Sequence, residues 1–237
     1  MPRYSVTVVV SVIVGLMVLV AGPAAAQNQV SVNSLMHDIL RMADTGSDTQ
    51  AMFMWFPTEV FVAMAQADPN TSSADVQAFR DLYSPYTAIA FSCSRVNDDF
   101  TQDIIQPSTI KQNIVAIDTA GREHAPVEDI PPALSQILNV FKLVARQGMG
   151  GAGSQAAESF DVVVFSNKFA DGSEMADPTK RGEFAVKVTG VEGIPATPVV
   201  WHLPLDALMP PKDCPSCGER VQHAWTYCPW CGAKLVQ

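Results

Sequence analysis

The chain has few cysteines and few basic residues for its length. Five of its 237 residues are cysteine, which is too few for a fold held together by disulfide bonds. Lysine and arginine number 15 against 24 acidic residues, so the formal net charge is -9. An acidic chain repels phosphate backbones, which argues against a nucleic-acid partner. The composition is otherwise that of a globular protein, with 48% apolar and 16% charged residues.

Residues 1–26 have a composition of their own. Arg3 precedes an apolar run of 19 residues, and Ala24 and Ala26 then form an A-x-A pattern. This order predicts a cleaved secretory signal peptide. The run is also close to the ~20 residues that cross a bilayer, so an uncleaved membrane anchor is the alternative, and the only expected membrane contact. In both cases we expect the rest of the chain outside the cytoplasm (periplasmic, secreted or anchored facing outward), because Arg3 favours a cytoplasmic N-terminus.

Two further absences narrow the export route. No cysteine follows the segment Leu19 to Gly22, which excludes lipid attachment to a cysteine at this boundary. The N-terminal segment also lacks a twin-arginine pair, which favours a Sec-type route for an unfolded chain.

The pair Pro210-Pro211 divides the exported part into a body, residues 27–211, and a tail, residues 212–237. Proline cannot continue a helix or a central strand, so this pair favours a hinge. The body has 11 basic and 22 acidic residues, whereas the tail has three basic and two acidic residues. The acidity of the chain therefore belongs to the body.

The body begins with helical patterns. Apolar residues recur at helical spacing from Val32 to Ala43, and a second helix is predicted from Glu59 to Gln66 with Thr58 as its cap. A third helix is predicted to begin at Ser72-Ser73. A fourth covers the apolar face from Leu134 to Val144 and ends at a group of glycines.

Strand patterns dominate the remainder. Alternation predicts a strand over Thr87–Cys93, and a β-rich segment from Thr109 to Ile117 leads through an Asp118–Gly121 turn into a hairpin. Three later segments rich in valine and phenylalanine are also predicted strands: 160–166, 183–188 and 198–205. The connection between the first two of them, residues 167–182, is polar and is expected to be exposed. Helices followed by clustered strands predict an α+β fold with a mainly antiparallel sheet, for which a sandwich is one arrangement.

The tail contains the strongest motif in the sequence. Cys214-Pro215-Ser216-Cys217-Gly218 and Cys228-Pro229-Trp230-Cys231-Gly232 are two C-P-x-C-G units at C-x2-C…C-x2-C spacing. Proline and glycine allow each unit to form a tight turn that directs two sulfurs to one centre. Four thiolates can then surround a tetrahedral ion at about 2.3 Å. A segment this short buries too little apolar surface to fold alone, and structural zinc supplies about 10–16 kcal/mol in such modules.

This segment resembles the zinc-ribbon family, over residues 212–237 only. The resemblance implies that Cys214, Cys217, Cys228 and Cys231 bind a structural Zn²⁺ whose closed coordination leaves no place for water or substrate. Two alternatives for the cysteines are two disulfides or a redox C-x-x-C pair, and iron in the same sulfur cage. We expect Val221, Trp225, Tyr227 and Leu235 to form a small apolar pad beside the site, and His223 to be a surface histidine.

Other candidate sites have simpler interpretations. The G-x-G-x-x-G match at 148–153 follows a helix and precedes a strand, the reverse of a dinucleotide site, so it predicts a loop. Four polar residues in one loop could bind calcium but lack the EF-hand spacing, and we expect a solvated loop: Asp171, Ser173, Glu174 and Asp177. Cys93 alternates with apolar residues, which predicts a buried strand thiol.

Three functional hypotheses follow. The first is an exported, non-enzymatic binding or structural protein of the cell envelope, whose ribbon contacts a protein or another envelope ligand. The second is an exported hydrolase with a site assembled in the body, for which His124, His202 and Asp206 are the first candidates. The third is a thiol–disulfide protein that uses the two C-x-x-C pairs.

Overall fold

The computed structural model describes residues 32–45, 48–67, 70–98, 101–150, 154–223 and 225–235. The predicted signal or anchor, residues 1–26, lies outside the described residues and stays a prediction. Among the residues that are described, no helix is both long and apolar enough to span a bilayer.

The described helices and strands are as follows. The helices are α1 (Val32–Ile39), α2 (Thr58–Ala67), α3 (Ser73–Tyr83), α4 (Pro107–Asn113), α5 (Pro132–Gly148) and α6 (Gln155–Ser159). The strands are β1 (Leu40–Met42), β2 (Thr49–Phe56), β3 (Tyr86–Val96), β4 (Gln102–Ile104), β5 (Ile114–Ile117), β6 (Glu123–His124), β7 (Phe160–Ser166), β8 (Gly182–Val188), β9 (Val199–Leu203), β10 (Lys212–Asp213) and β11 (Arg220–Val221). Asp206–Leu208 forms a short 3₁₀ helix.

The strands form two sheets in the body and a two-stranded ribbon in the tail. In the first sheet β1, β2 and β3 are neighbours, and the other side of β3 pairs with β7 and then with β4. The second sheet has the order β6-β5-β8-β9, and β10 pairs with β11. All pairings between these strands are antiparallel, so the predicted α+β class with antiparallel sheets is confirmed.

The first sheet is the middle layer of the body because both of its faces are covered. Consecutive side chains of a strand point to opposite faces. Trp55 of β2 packs against Phe184 of β8, with ring centroids 4.6 Å apart. The next residue, Phe56, packs instead against Phe61 of α2 at 5.3 Å and Phe141 of α5 at 5.1 Å. The second sheet therefore covers one face and the helices cover the other.

Two hydrogen bonds tie the second sheet to the start of the body. The indole Nε1 of Trp201 donates to the carbonyl of Ile39 at 2.8 Å, and Arg41 Nε donates to the carbonyl of Val200 at 3.2 Å. Both bonds join residues about the α1–β1 junction to β9, and Trp201 itself is fully buried. The edge strands β1 and β9 therefore meet at this point.

Most of the predicted elements in the body are confirmed. Helix α3 begins after Ser72, whose hydroxyl accepts a hydrogen bond from Asp75 N–H while the Asp75 carboxylate caps in return. The predicted hairpin forms between β5 and β6, and Gly121 N–H donates to the carbonyl of Asp118 at 2.9 Å across its turn. Helix α5 ends at Gly148, and the strands β3, β7, β8 and β9 lie within one or two residues of the predicted strand segments or include them.

Two local predictions are wrong, and one strand was not predicted. Helix α1 ends at Ile39, because Leu40–Met42 pairs with β2 as a strand. The strand that was not predicted is β2, the apolar segment before Pro57. Residues 107–113 are helical, since Pro107 occupies the first helical position, and only Ile114–Ile117 of the predicted strand is extended.

The connection at 167–182 is less exposed than its polarity predicts. Met175 is fully buried and Ala176 is 3% exposed. The backbone of Met175 is bonded on both sides: its N–H donates to Asn167 and its carbonyl accepts from Thr119, at 2.8 and 3.1 Å. The middle of this connection is therefore part of the core.

Candidate metal centre

The two C-P-x-C-G units fold into the same turn. Gly218 N–H donates to the carbonyl of Cys214, and Gly232 N–H donates to the carbonyl of Cys228, each at 2.9 Å. The two glycines have φ of +73° and +72°, a region that side chains with a Cβ rarely adopt. The glycine that closes each motif is therefore required by the backbone of the turn.

A short antiparallel pairing flanks each turn. The strand pair β10–β11 brings Lys212 opposite Val221 and leads directly into the first turn. A second short pairing joins Tyr227 to Lys234 around the other turn. Each turn therefore lies at the tip of its own short hairpin.

The four sulfurs converge on one point. Cys214 Sγ lies 3.6 Å from Cys231 Sγ, and Cys217 Sγ lies 3.7 Å from Cys228 Sγ. All four sulfurs lie within 4.8 Å of one another. Four sulfurs placed about 2.3 Å from a tetrahedral ion are about 3.8 Å apart, whereas a disulfide requires about 2.05 Å. The four-cysteine cluster therefore has the spacing of a metal cage, and a metal ion could be held there.

Burial within the cluster is asymmetric. Cys214 and Cys228 are each 2% exposed, whereas Cys217 and Cys231 are exposed. Val221 and Leu235 are buried beside Cys214 and Cys228, and these four residues form a small cluster separate from the core of the body. One sulfur of each turn therefore faces an apolar pad and the other faces solvent.

The electrostatics of the cluster favour thiolate at one position. Backbone N–H groups of Cys217 and Ser216, together with neighbouring thiols, lower the pKa of Cys214 to about 6. The N–H of Glu219 acts in the same direction on Cys217, but desolvation and the adjacent sulfurs raise the pKa of Cys217 to about 12. A second thiolate so close to the first is unfavourable without a cation. A bound metal ion removes this repulsion and displaces the remaining thiol protons.

The aromatic residues of the tail are only partly in the predicted pad. Trp225 is partly buried against the four-cysteine cluster, as expected. Tyr227 is 59% exposed, so its predicted place in the pad is wrong. Trp230 is 64% exposed and lies 6.0 Å from Trp225 between ring centroids. The second turn and the residue before it therefore present aromatic side chains to solvent.

The two histidines of the predicted hydrolase site lie on opposite edges of the second sheet. His124 on β6 is bonded to Asp118 at 2.9 Å, and His202 on β9 is exposed and pairs with Glu183 at 3.1 Å. Strands β6 and β9 are the two edges of a four-stranded sheet, three strand spacings or about 14 Å apart. Asp206 follows in the 3₁₀ helix beyond β9. The structure therefore does not bring the two histidines into one site.

The other sequence candidates have local roles. Cys93 is fully buried in β3, and burial raises its pKa to about 12. Asp171 accepts hydrogen bonds from Ser173, and Asp177 accepts them from Thr179, so these carboxylates stabilise their own turns. Within the described ranges, the four cysteines are the one group of three or more histidine, cysteine or acidic side chains that is close enough to share a metal ion.

Asp118 is a buried acidic residue with charged partners that the sequence analysis did not identify as a candidate site. Its carboxylate is 1% exposed and binds Arg122 as well as His124, at 2.7 and 2.9 Å. The only sequence signal for it was its place as the first residue of a predicted turn.

Comparison with known proteins adds no assignment: no protein-family model, no curated protein and no solved structure matches the chain.

Proposed function

We propose that this protein is an exported, non-enzymatic binding protein of the cell envelope, in which residues 212–237 form a structural zinc ribbon. The convergence of the four sulfurs carries this proposal. An all-sulfur tetrahedral set suits a borderline-soft ion such as Zn²⁺, and four protein ligands leave no coordination position for a substrate. The metal's role is to hold the two turns together.

The size of the tail supports a structural role for the ion. Its own buried cluster contains only two residues besides the cysteines, Val221 and Leu235, with Trp225 and Ala233 packed at its side, among the residues that the structure describes. Such a small apolar cluster cannot offset the loss of chain entropy on folding. Metal ligation supplies the missing free energy.

The exposed aromatic residues support a contact role for the ribbon. Tyr227 and Trp230 lie in and beside the second turn and are more than half exposed. Tyrosine and tryptophan are enriched at protein interfaces because they bury a large area with little loss of side-chain entropy. The expected partner is a protein or another ligand of the envelope.

Metal analysis of protein recovered from its own compartment tests the zinc ribbon. We expect one zinc per chain and four thiols that react only after chelation. A thiol–disulfide role is the second candidate, because the lowered pKa of Cys214 also favours thiolate chemistry. Intact mass separates the two: two disulfides remove about four hydrogens, whereas the native mass of the zinc form includes the ion. Recovery of metal-free, oxidised protein would reject the zinc ribbon.

Partner capture tests the contact role. The intact protein is compared with a chain that ends at Met209 and with Trp230→Ala, which keeps all four cysteines. We expect weaker recovery of the partner with both variants, and unchanged zinc content in Trp230→Ala. Equal recovery with all three proteins would show that the ribbon makes no contact.

A further inference from the structure

A cavity of about 330 Å³ lies beside an edge of the first sheet. It opens between β7, α5 and the segment 126–130, and its volume is within the range of about 300–1,000 Å³ typical of small-molecule sites. One side of β7 pairs with β3. On its other side, Val127 N–H donates to the carbonyl of Val164 at 2.8 Å, which places the segment 126–130 as a wall of the cavity.

Part of the cavity lining is apolar. Leu138 of α5 and Val162 and Val164 of β7 line it, and each is at least nine-tenths buried. Ile130 adds a partly buried apolar side chain from the segment 126–130. Such a lining favours a ligand with a hydrocarbon portion, because contact with it removes apolar surface from water.

Two lysines that line the same cavity share one carboxylate. Lys111 Nζ of α4 lies 2.6 Å from Asp161 Oδ2, and Lys142 Nζ of α5 lies 3.4 Å from Asp161 Oδ1. The Asp161 side chain is 15% exposed. Each ammonium group has three N–H donors, so both lysines keep donors for an anionic group after bonding to Asp161.

The Asp161 carboxyl stays ionised beside its two lysine partners. Burial alone raises the pKa of Asp161, but the hydrogen bonds from Lys111 and from Val162 N–H, with the charge of Lys142, lower it below its usual value. Asp161 is therefore ionised at neutral pH. Its two oxygens keep both ammonium groups beside it.

Neutral and acidic polar groups complete the lining. Ser135 and Asn139 lie one turn apart on α5 and both line the cavity, as residues at i and i+4 of a helix share a face. Glu128, in the segment 126–130, contributes a carboxylate. The cavity therefore combines a cationic pair, an apolar surface and a few polar groups.

We infer that this cavity binds a small carboxylate with an adjoining apolar portion. The ligand's carboxylate lies against Lys111 and Lys142, and its hydrocarbon portion lies on the surface formed by Leu138, Val162 and Val164. A branched fatty acid and a free apolar amino acid share this chemistry. They differ in the amino group, which can donate to the Glu128 carboxylate.

Calorimetric titration of the full chain with isocaproate, leucine and isocaproamide tests the inference. We expect isocaproate or leucine to bind with a dissociation constant of about 1 mM or lower, and isocaproamide at least about tenfold more weakly, because the amide lacks the charge. Glu128→Gln identifies the source: it weakens leucine and not isocaproate if the amino group is recognised. Failure of both carboxylates to bind at about 10 mM would overturn the inference, as would equal binding of the amide.

Three variants locate the site. Lys142→Gln keeps hydrogen-bonding capacity beside Asp161 but removes the charge, and we expect carboxylate binding to weaken about tenfold. Lys187→Gln is the matched control: Lys187 is paired with Glu123 and is 24% exposed against 26% for Lys142, but it lies on the second sheet. Ser135→Leu fills the cavity without changing its charge and should abolish binding of every probe. Equal loss in Lys187→Gln, or unchanged binding in Ser135→Leu, would place the site elsewhere.

Discussion

His124 Nε2 lies 2.9 Å from Asp118 Oδ2, across the hairpin that joins β5 to β6. The same carboxylate accepts hydrogen bonds from the backbone N–H groups of Ala120 and Arg122, at 2.9 and 2.8 Å. The His124 ring stacks on Phe169, with centroids 4.5 Å apart, and the Arg122 guanidinium lies 5.5 Å from the centroid of the same phenylalanine ring. A nearly buried acid thus joins the hairpin to the connection that follows β7.

Asp118→Ala should lower the free energy of unfolding by about 2–3 kcal/mol, because it removes several charge-assisted hydrogen bonds from a buried acceptor. Asp171→Ala is the matched control: Asp171 also faces Arg122, at 3.8 Å, but its side chain is 59% exposed. We expect a much smaller loss for the control, because an exposed ion pair contributes little to stability. Urea denaturation measures both. Similar values for the two variants would show that Asp118 does not organise the hairpin.

The contribution of Asp118 should also depend on pH. Burial acts to raise its pKa, but hydrogen bonds from His124 and Arg122 and from backbone N–H groups lower it to about 2. A carboxylate whose pKa is lowered by folding stabilises the protein above its unfolded pKa of about 3.9. This stability is lost as the pH falls from about 4 towards the folded pKa. The stability difference between wild type and Asp118→Ala should therefore be constant near neutral pH and shrink below about pH 4; a difference that grows on acidification would contradict the assignment.

Replacement of one cysteine of the cluster should unfold the tail and leave the body folded. Cys228→Ser is expected to lose the proposed metal ion and the near-UV circular dichroism of Trp225 and Trp230, because the small apolar cluster of the tail cannot maintain the fold by itself. The body has its own core, so its thermal unfolding should remain. Cys93→Ser is the control, since it places a hydroxyl in the buried core. It should destabilise the body and leave the metal content unchanged, and loss of metal in both variants would contradict the separation.

The strand β2 shows most clearly what cannot be predicted from the sequence alone. Its residues form a nearly continuous apolar run because Trp55 faces the second sheet and Phe56 faces the helices. Alternation between apolar and polar residues, the usual strand signal, does not arise when both faces are covered. In contrast, β3 was predictable because its large side chains alternate with alanine and serine. The helix α4 was not predicted because Thr109 and Ile110 are β-branched and favour a strand, although Pro107 suits the first position of a helix.

The four-cysteine cluster and the cavity beside β7 also differ in how far they could be predicted from the sequence. The four-cysteine cluster was predictable because short spacings within each turn and between the turns determine where the sulfurs lie. The lysine pair at the cavity was not, since Lys111, Lys142 and Asp161 come from α4, α5 and β7. Only the packing of these three elements brings the charges together. The exposure of Tyr227 likewise depends on which side of a short turn faces the apolar pad.

Phe61 is the centre of the aromatic packing between the helices and the first sheet. It contacts Phe56, Phe79, Tyr83 and Phe141, with centroid distances from 5.0 to 6.0 Å. Phe61→Ala should cost about 3–5 kcal/mol through lost contacts and the resulting cavity. Leu143→Ala on α5 is the control, since Leu143 is 58% exposed and should change stability by less than about 0.5 kcal/mol. Chemical denaturation of both variants provides the measurement, and a small effect at Phe61 would mean that the helices contribute little to the core.

Gly193 and Gly172 form a matched pair that separates steric conflict from backbone strain. Both have φ of +81°. A Cβ at Gly193 would lie 2.5 Å from Thr49 Oγ1 at the start of β2, whereas a Cβ at Gly172 meets nothing within 4 Å. Gly172→Ala should therefore cost only the left-handed conformation, about 1–2 kcal/mol. Gly193→Ala adds displacement of a buried threonine and should cost at least about 1 kcal/mol more. Urea denaturation of the two variants measures the difference, and equal values would show that β2 yields freely at Thr49, contrary to its burial at 4% exposure.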